Sequence, residues 1–101
     1  MQTSQQLKFR LGQIVATRDA LSDLGKTGKS PNYFLRRHQQ GDWGELCDED
    51  RKPNGNAIAH EGDLERRERV LSAYHLADAT KIWIITESDR LVSTILLPSD
   101  Y

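Results

Sequence analysis

Three β-rich runs packed into the last third of the sequence set the tightest limit on how this chain can fold. They read RVLSAYHL, KIWIITE and LVSTILL, and only ADAT and SDR separate them. β-branched and aromatic residues suit a pleated, half-buried surface. Breaks this short can join only antiparallel neighbours, because a parallel pair needs a crossover of about a dozen residues. The runs therefore predict a three-stranded antiparallel meander. With turns at 77–80 and 88–90, Tyr74, Trp83 and Ile95 line up across the sheet, beside Ser72, Ile85 and Ser93. The other face then carries Leu71, Ala73, Ile82, Ile84, Val92 and Leu96, and this more apolar set is expected under the helices as the core. The face with the aromatic pair and the hydroxyls is expected to be the open one. A one-residue slip would exchange the faces.

Upstream, LKFRLGQIVAT alternates Leu7, Phe9 and Leu11 before Gly12. That is the period of a half-buried strand, and the glycine marks a bulge or a close approach of backbones. Thr17 precedes RDALSDLGKTG, which reads as a short helix with Ala20, Leu21 and Leu24 turned inward. Ser30 and Pro31 give an N-cap followed by a proline at the first helical position, where no helical hydrogen bond is lost. A helix over about 31–40 follows, with Gly41 as its left-handed stop and Phe34, Leu35 and His38 on one side. From 47 to 63, CDEDRKPNGNAIAHEGD reads as a long polar loop holding one or two helical turns. The expected architecture is a small single α+β domain over 1–101: an N-terminal strand, two short helices and the C-terminal meander, with the first strand joining the same sheet.

Charge and cysteine usage narrow the setting. The formal net charge is -1 at pH 7, which gives no overall field to gather nucleic acid or an anionic membrane. Cys47 is the single cysteine, so no intramolecular disulfide can form and a reducing cytoplasm is the expected location. No apolar run approaches the ~20 residues of a membrane span, and MQTSQQLKFR lacks the apolar stretch of a signal peptide. No membrane partner is expected.

Several residues carry candidate chemistry. His38 reads either as a general acid or base flanked by phosphate-holding Arg36 and Arg37, or as a histidine suited to the carbonyl end of its helix. In GDWG, Asp42 caps a turn, and Trp43 either anchors the loop on the sheet or presents its ring at a binding surface. Arg66, Arg67 and Arg69 could contact phosphates, but Glu65 and Glu68 nearly cancel them. His38, Cys47, His60 and His75 lack the short spacing of a zinc site, and Asp48, Glu49 and Asp50 lack the spacing of a calcium loop. No glycine-rich phosphate loop or nucleophile elbow occurs, so no cofactor or metal is expected. Thr86, Glu87, Ser93 and Thr94 interrupt the apolar runs. A hydroxyl-bearing sheet facing a helical histidine is an arrangement that metal-independent RNA cleavage could use.

The segments FRLGQIVAT, FLRRHQQGDWGEL, ED, LSAYHLADATKIWIITESDR and STILLPSDY together resemble a widespread family of uncharacterised bacterial proteins known as plasmid-related, carried on plasmids and integrative elements. The resemblance runs over 9–101 and implies an accessory role without assigning an activity. This chain departs from the family at Ala79, where glycine is more usual, and at Pro53 and Gly55, where the helical stretch is more continuous. The order of elements alone is also similar to the RelE, barnase and EndoU-like nuclease superfamily, with His38, Thr94 and Pro98 at the matching positions.

Two functions follow as expectations. In the first, the chain is a non-catalytic accessory protein of a mobile element that binds a protein or nucleic-acid partner through Trp43, Tyr74, Trp83, Asp42 and the arginines Arg36 and Arg37. In the alternative it is a toxin-like, metal-independent ribonuclease, with His38 as acid/base, Arg36 or Arg37 holding phosphate, and Thr94 or Tyr74 as supporting donors. Near-neutral charge favours the first, since RNA-cleaving proteins gather substrate with a basic field.

Overall fold

The computed structural model describes residues 7–77 and 80–101. In chain order the elements are β1 (Gln13–Ala16), α1 (Arg18–Thr27), α2 (Pro31–Gln39), α3 (Asp48–Ala59), β2 (Val70–His75), β3 (Lys81–Thr86) and β4 (Val92–Leu96), ending in a 3-10 turn at Pro98–Asp100. The class is α+β, with one four-stranded sheet in the order β1-β4-β3-β2. β2, β3 and β4 form the antiparallel meander read from the sequence, and β1 joins it parallel to β4.

The first strand begins later than the alternation at Leu7, Phe9 and Leu11 suggested. It starts after Gly12, whose φ of 67° and contact with the Leu91 carbonyl leave no place for a side chain. Phe9 is instead buried in the core, while Leu11 packs on its margin. α1 follows its expected cap, with Thr17 Oγ1 accepting from Ala20 N–H at 3.2 Å. Ala20 and Leu24 face inward, whereas Leu21, expected inward, is half exposed on the outer side. α2 has the expected proline start and buries Phe34, Leu35 and His38 together. Ser30 stands at its N-cap without a side-chain hydrogen bond, and Gly41 follows its end at φ 87°.

The segment expected as a long polar loop at 47–63 contains a twelve-residue helix, α3. Three acidic residues, Asp48, Glu49 and Asp50, occupy its first turn, where they complement the positive end of the helix dipole. Burial of Ala57 and Asn54 beside β2 holds it despite Pro53 and Gly55.

The register differs by one residue at both hairpins. Tyr74 faces Ile82, His75 faces Lys81 and Leu76 N–H donates to the Thr80 carbonyl at 2.7 Å, so the first hairpin closes one residue tighter than a 77–80 turn. Asp78 and Ala79 of that expected turn lie outside the described residues, as do residues 1–6 of the N-terminal stretch. The second hairpin pairs Thr86 with Ser93, and Glu87 N–H donates to the Val92 carbonyl at 3.0 Å. The second turn is one residue longer than expected, and each one-residue change flips the strand that follows. As a result Val70, Ser72, Tyr74, Ile82, Ile84, Thr86, Ser93 and Ile95 are all essentially inaccessible beneath the helices. The face expected to be open is therefore the core face for β2 and β4, and Trp83 and Ile85 have moved to the opposite side with Leu71, Ala73, Val92, Thr94 and Leu96. Each fully buried aliphatic side chain contributes about 1.5–3 kcal/mol of hydrophobic stabilisation.

Candidate functional site

The region around His38 is a polar row enclosed by apolar walls. Phe9 meets the imidazole edge-on at 5.1 Å between ring centroids, and Trp43 does so at 6.1 Å. Its Nδ1 lies 2.5 Å from Ser72 Oγ on β2 and its Nε2 lies 2.9 Å from Thr86 Oγ1 on β3. Thr86 Oγ1 is 2.6 Å from Ser93 Oγ on β4, and Ser93 in turn donates to the Leu11 carbonyl at 2.7 Å. The end of this chain fixes the direction of every link. A carbonyl can only accept, so the single Ser93 proton goes to Leu11 and Thr86 must donate to Ser93. Thr86 then accepts from His38 Nε2–H, and the neutral ring accepts at Nδ1 from Ser72. The imidazole is thereby held as the Nε2–H tautomer with both nitrogens engaged. Burial pushes its pKa down to about 3, helped by the positive Arg90 guanidinium. At 0% exposure, His38 offers no nitrogen to a ligand in this arrangement.

The residues expected to work with His38 are distributed elsewhere. Thr94 pairs with Ile85 on the opposite face of the sheet. Pro98 opens the C-terminal 3-10 turn. Arg37 extends to Asp42, its Nε 2.7 Å from Oδ2, while its guanidinium sits 4.6 Å from the Tyr74 ring centre. Arg37 holds the Asp42 carboxyl below its usual range, with a further hydrogen bond from Gly44 N–H. Tyr74 is buried, its hydroxyl donates to the Asp42 carbonyl at 2.6 Å, and burial pushes its pKa up. These contacts tie the end of α2 to β2.

Trp43 is buried and stacks near Phe9, so its ring anchors the loop. The chain beside it runs along β2: Ala73 N–H donates to the Trp43 carbonyl at 3.1 Å, and Glu45 N–H donates to the Ala73 carbonyl at 2.7 Å. Gly44 permits this approach, because a side chain there would collide with the Ala73 carbonyl. Trp83, half buried on the far face, meets Tyr101 at 5.6 Å between ring centroids.

The arginines before β2 are engaged within the protein. Arg66 pairs with Asp63 at 3.5 Å, Arg67 bonds the Glu61 and Ser88 carbonyls, and Arg69 donates to the Tyr101 hydroxyl. Among the described residues no three His, Cys, Asp or Glu side chains converge as a metal site would require.

Two structural side chains stand outside the sequence reading. Arg90, in the β3–β4 turn, is buried and donates from Nη2 to Glu61 Oε1 at 2.7 Å and from Nη1 to the Glu68 and Glu87 carbonyls at 2.9 Å. Asn54 of α3 grips β2, its Nδ2 donating to the Leu71 carbonyl at 2.6 Å while its Oδ1 accepts from Leu71 N–H at 3.0 Å. Their sequence surroundings, SDR and PNG, carry only turn signals.

The two sheet edges are treated differently. On β2, the outward groups of Leu71 and Ala73 are satisfied by Asn54 and by the 43–45 segment. On β1, Gln13 and Thr17 donate to the Leu91 and Ile95 carbonyls of the β4 side. The alternation of a strand then turns the N–H and C=O of Ile14 and Ala16 away from the sheet. Among the described residues nothing pairs with them. Ile14 and Val15 are 41% and 39% exposed. A groove of about 190 Å³ lies beside this edge, with Leu7, Leu11, Ile14 and Leu35 as its apolar wall. Asn32, Arg36 and Gln39 of α2 form its polar rim.

No helix among the described residues is long and apolar enough to cross a membrane. A scan against protein-family models and searches of the curated proteins and the solved structures found no significant match.

Proposed function

We propose that the chain is a non-catalytic binding protein, an accessory component of a mobile genetic element that acts in the bacterial cytoplasm by engaging a partner. One observation carries this reading: β2 is covered along its outer edge, whereas β1 is left open with apolar side chains at its surface. Proteins ordinarily blunt such edges with charge, proline or a covering segment, because an open edge is a template for another chain. An uncovered apolar edge beside a groove suits the capture of a partner.

The ribonuclease reading has a single point in its favour, the contact of His38 with two hydroxyls. Against it stand the enclosed ring, its neutral state, and Thr94 on the other face. General acid–base catalysis needs the histidine within hydrogen-bond reach of a substrate atom.

The test combines two measurements. Purified wild-type protein is expected to leave single-stranded and structured RNAs intact. The tagged chain, recovered from cells carrying its parent element, is expected to retain one partner in stoichiometric amount. RNA cleavage that co-fractionates with the protein, with no partner retained, would overturn the proposal.

A further inference from the structure

We propose that the open edge of β1 and the adjoining groove bind an extended, acidic segment of a partner protein by strand addition. This rests on the binding-protein reading and adds the site and the chemistry of what occupies it. The backbone supplies the first requirement. Ile14 and Ala16 each turn one N–H and one C=O outward, so an added strand can continue the β4–β1 ladder without displacing any bond to β4. The second requirement is a pocket for alternate side chains of the guest. Ile14, on the helix-facing side of β1, lines the groove with Leu35, which places an apolar wall beside the edge an added strand would follow.

Charge selects the guest. Arg36 stands on the groove rim, and Lys8 and Arg10 are exposed in the segment that carries Leu7 and Leu11. None of the three forms an ion pair among the described residues. Asp100, at the far end of the edge, is already occupied by Thr17 Oγ1 and Leu97 N–H. Arg36 on the rim, with Arg10 exposed next to Leu11, complements carboxylates on an extended peptide, whereas the Lys8 side chain lies against Gly41. A second copy of this chain fits less well, since pairing β1 with β1 would bring these cations towards their own kind. Nucleic acid would use the cations and leave the strand edge and apolar wall unused.

The probe is a peptide of about ten residues alternating valine with glutamate, compared with its valine–lysine counterpart, titrated into the full-length, isotope-labelled protein. Saturable shifts at the amides of Ile14, Ala16 and residues 35–39 are expected from the glutamate peptide, with the lysine peptide at least about tenfold weaker. Ile14→Pro deletes one outward N–H and spares the β4 ladder, and Arg36→Glu reverses an exposed charge. Each is expected to weaken glutamate-peptide binding by about tenfold or more while melting close to wild type. Should Ile14→Pro fail to fold, Arg36→Glu and the amide map decide. Equal binding of the two peptides would overturn strand addition. So would shifts confined to another surface, β1-mediated dimerisation without peptide, or binding of a single-stranded oligonucleotide that leaves the Ile14 and Ala16 amides unmoved. A cellular partner retained equally by wild type and Ile14→Pro would also overturn it while leaving the binding function standing; no retained partner at all would remove both.

Discussion

A histidine at the centre of a hydrophobic layer is tolerable only when each of its polar atoms has a partner, because an unmatched buried donor costs about 1–3 kcal/mol. Ser72 and Thr86 supply those partners from β2 and β3, Ser93 on β4 accepts in turn from Thr86, and the Leu11 carbonyl terminates the chain. Thr86→Val removes the middle link, leaving His38 Nε2–H without an acceptor and Ser93 without a donor. The expected loss is about 1–3 kcal/mol, or a fall in Tm of roughly 5–15 °C, read from thermal unfolding. The same wiring makes a spectroscopic prediction: ring nitrogen shifts of His38 should show a proton on Nε2 and none on Nδ1 at neutral pH. Trp43 tests packing rather than polarity. It is buried beside Phe9 and His38, so Trp43→Ala should cost ~3 kcal/mol or more and lower Tm by roughly 10 °C or more. A variant that melts like wild type would mean the ring contributes no packing.

Among the elements, α3 shows most clearly how tertiary contacts override local preference. Pro53 and Gly55 both disfavour a helix interior, and the polar composition points the same way. Its stability comes from contact with β2, where Ala57 is fully buried and the Asn54 amide imitates the backbone of a neighbouring strand. Asn54→Ala should therefore expose the Leu71 N–H and C=O along the β2 edge. The expected cost is about 1–3 kcal/mol, with faster amide exchange at Leu71 than at the central β3 amides, measured by hydrogen exchange. Unchanged protection at Leu71 would show that the amide grip does not secure that edge.

For the whole molecule, the buried imidazole makes stability depend on pH. The folded His38 has a pKa near 3, while the unfolded chain returns it to about 6.5. Between those values the unfolded state binds more protons, so stability rises with pH through this window. The His38 contribution is fully present above about pH 6.5 and is lost as pH falls toward 3, at up to about 1.4 kcal/mol per unit. Urea unfolding at successive pH values should give that slope for wild type. His38→Gln should start less stable yet show a flatter dependence between pH 6.5 and 4. Equal slopes in the two proteins would place the acid sensitivity elsewhere. The buried Arg90 adds to it by opposing a second positive charge nearby, while its own charge is met by Glu61.

The sequence by itself determined the α+β class, the antiparallel meander, the caps of α1 and α2, and the shared inward side of Phe34, Leu35 and His38. These are local properties: β-branched runs, short turns, a threonine or serine–proline cap, and spacings of three and four residues act over one element at a time. Tertiary structure decided the remainder. One residue fewer in the first hairpin and one more in the second reversed which side of β3 faces the helices, a difference that composition does not encode. The parallel placement of β1, the helix at 48–59 and the enclosure of His38 arise from contacts between residues far apart in sequence. In the sequence Ser72 and Ser93 fell on one hydroxyl-bearing face, while Thr86 read as a polar interruption of an apolar strand. They joined one hydrogen-bonded chain through His38 only when the sheet register brought them into a row, because a buried hydrogen bond depends on the positions of both ends and the sequence specifies each end separately.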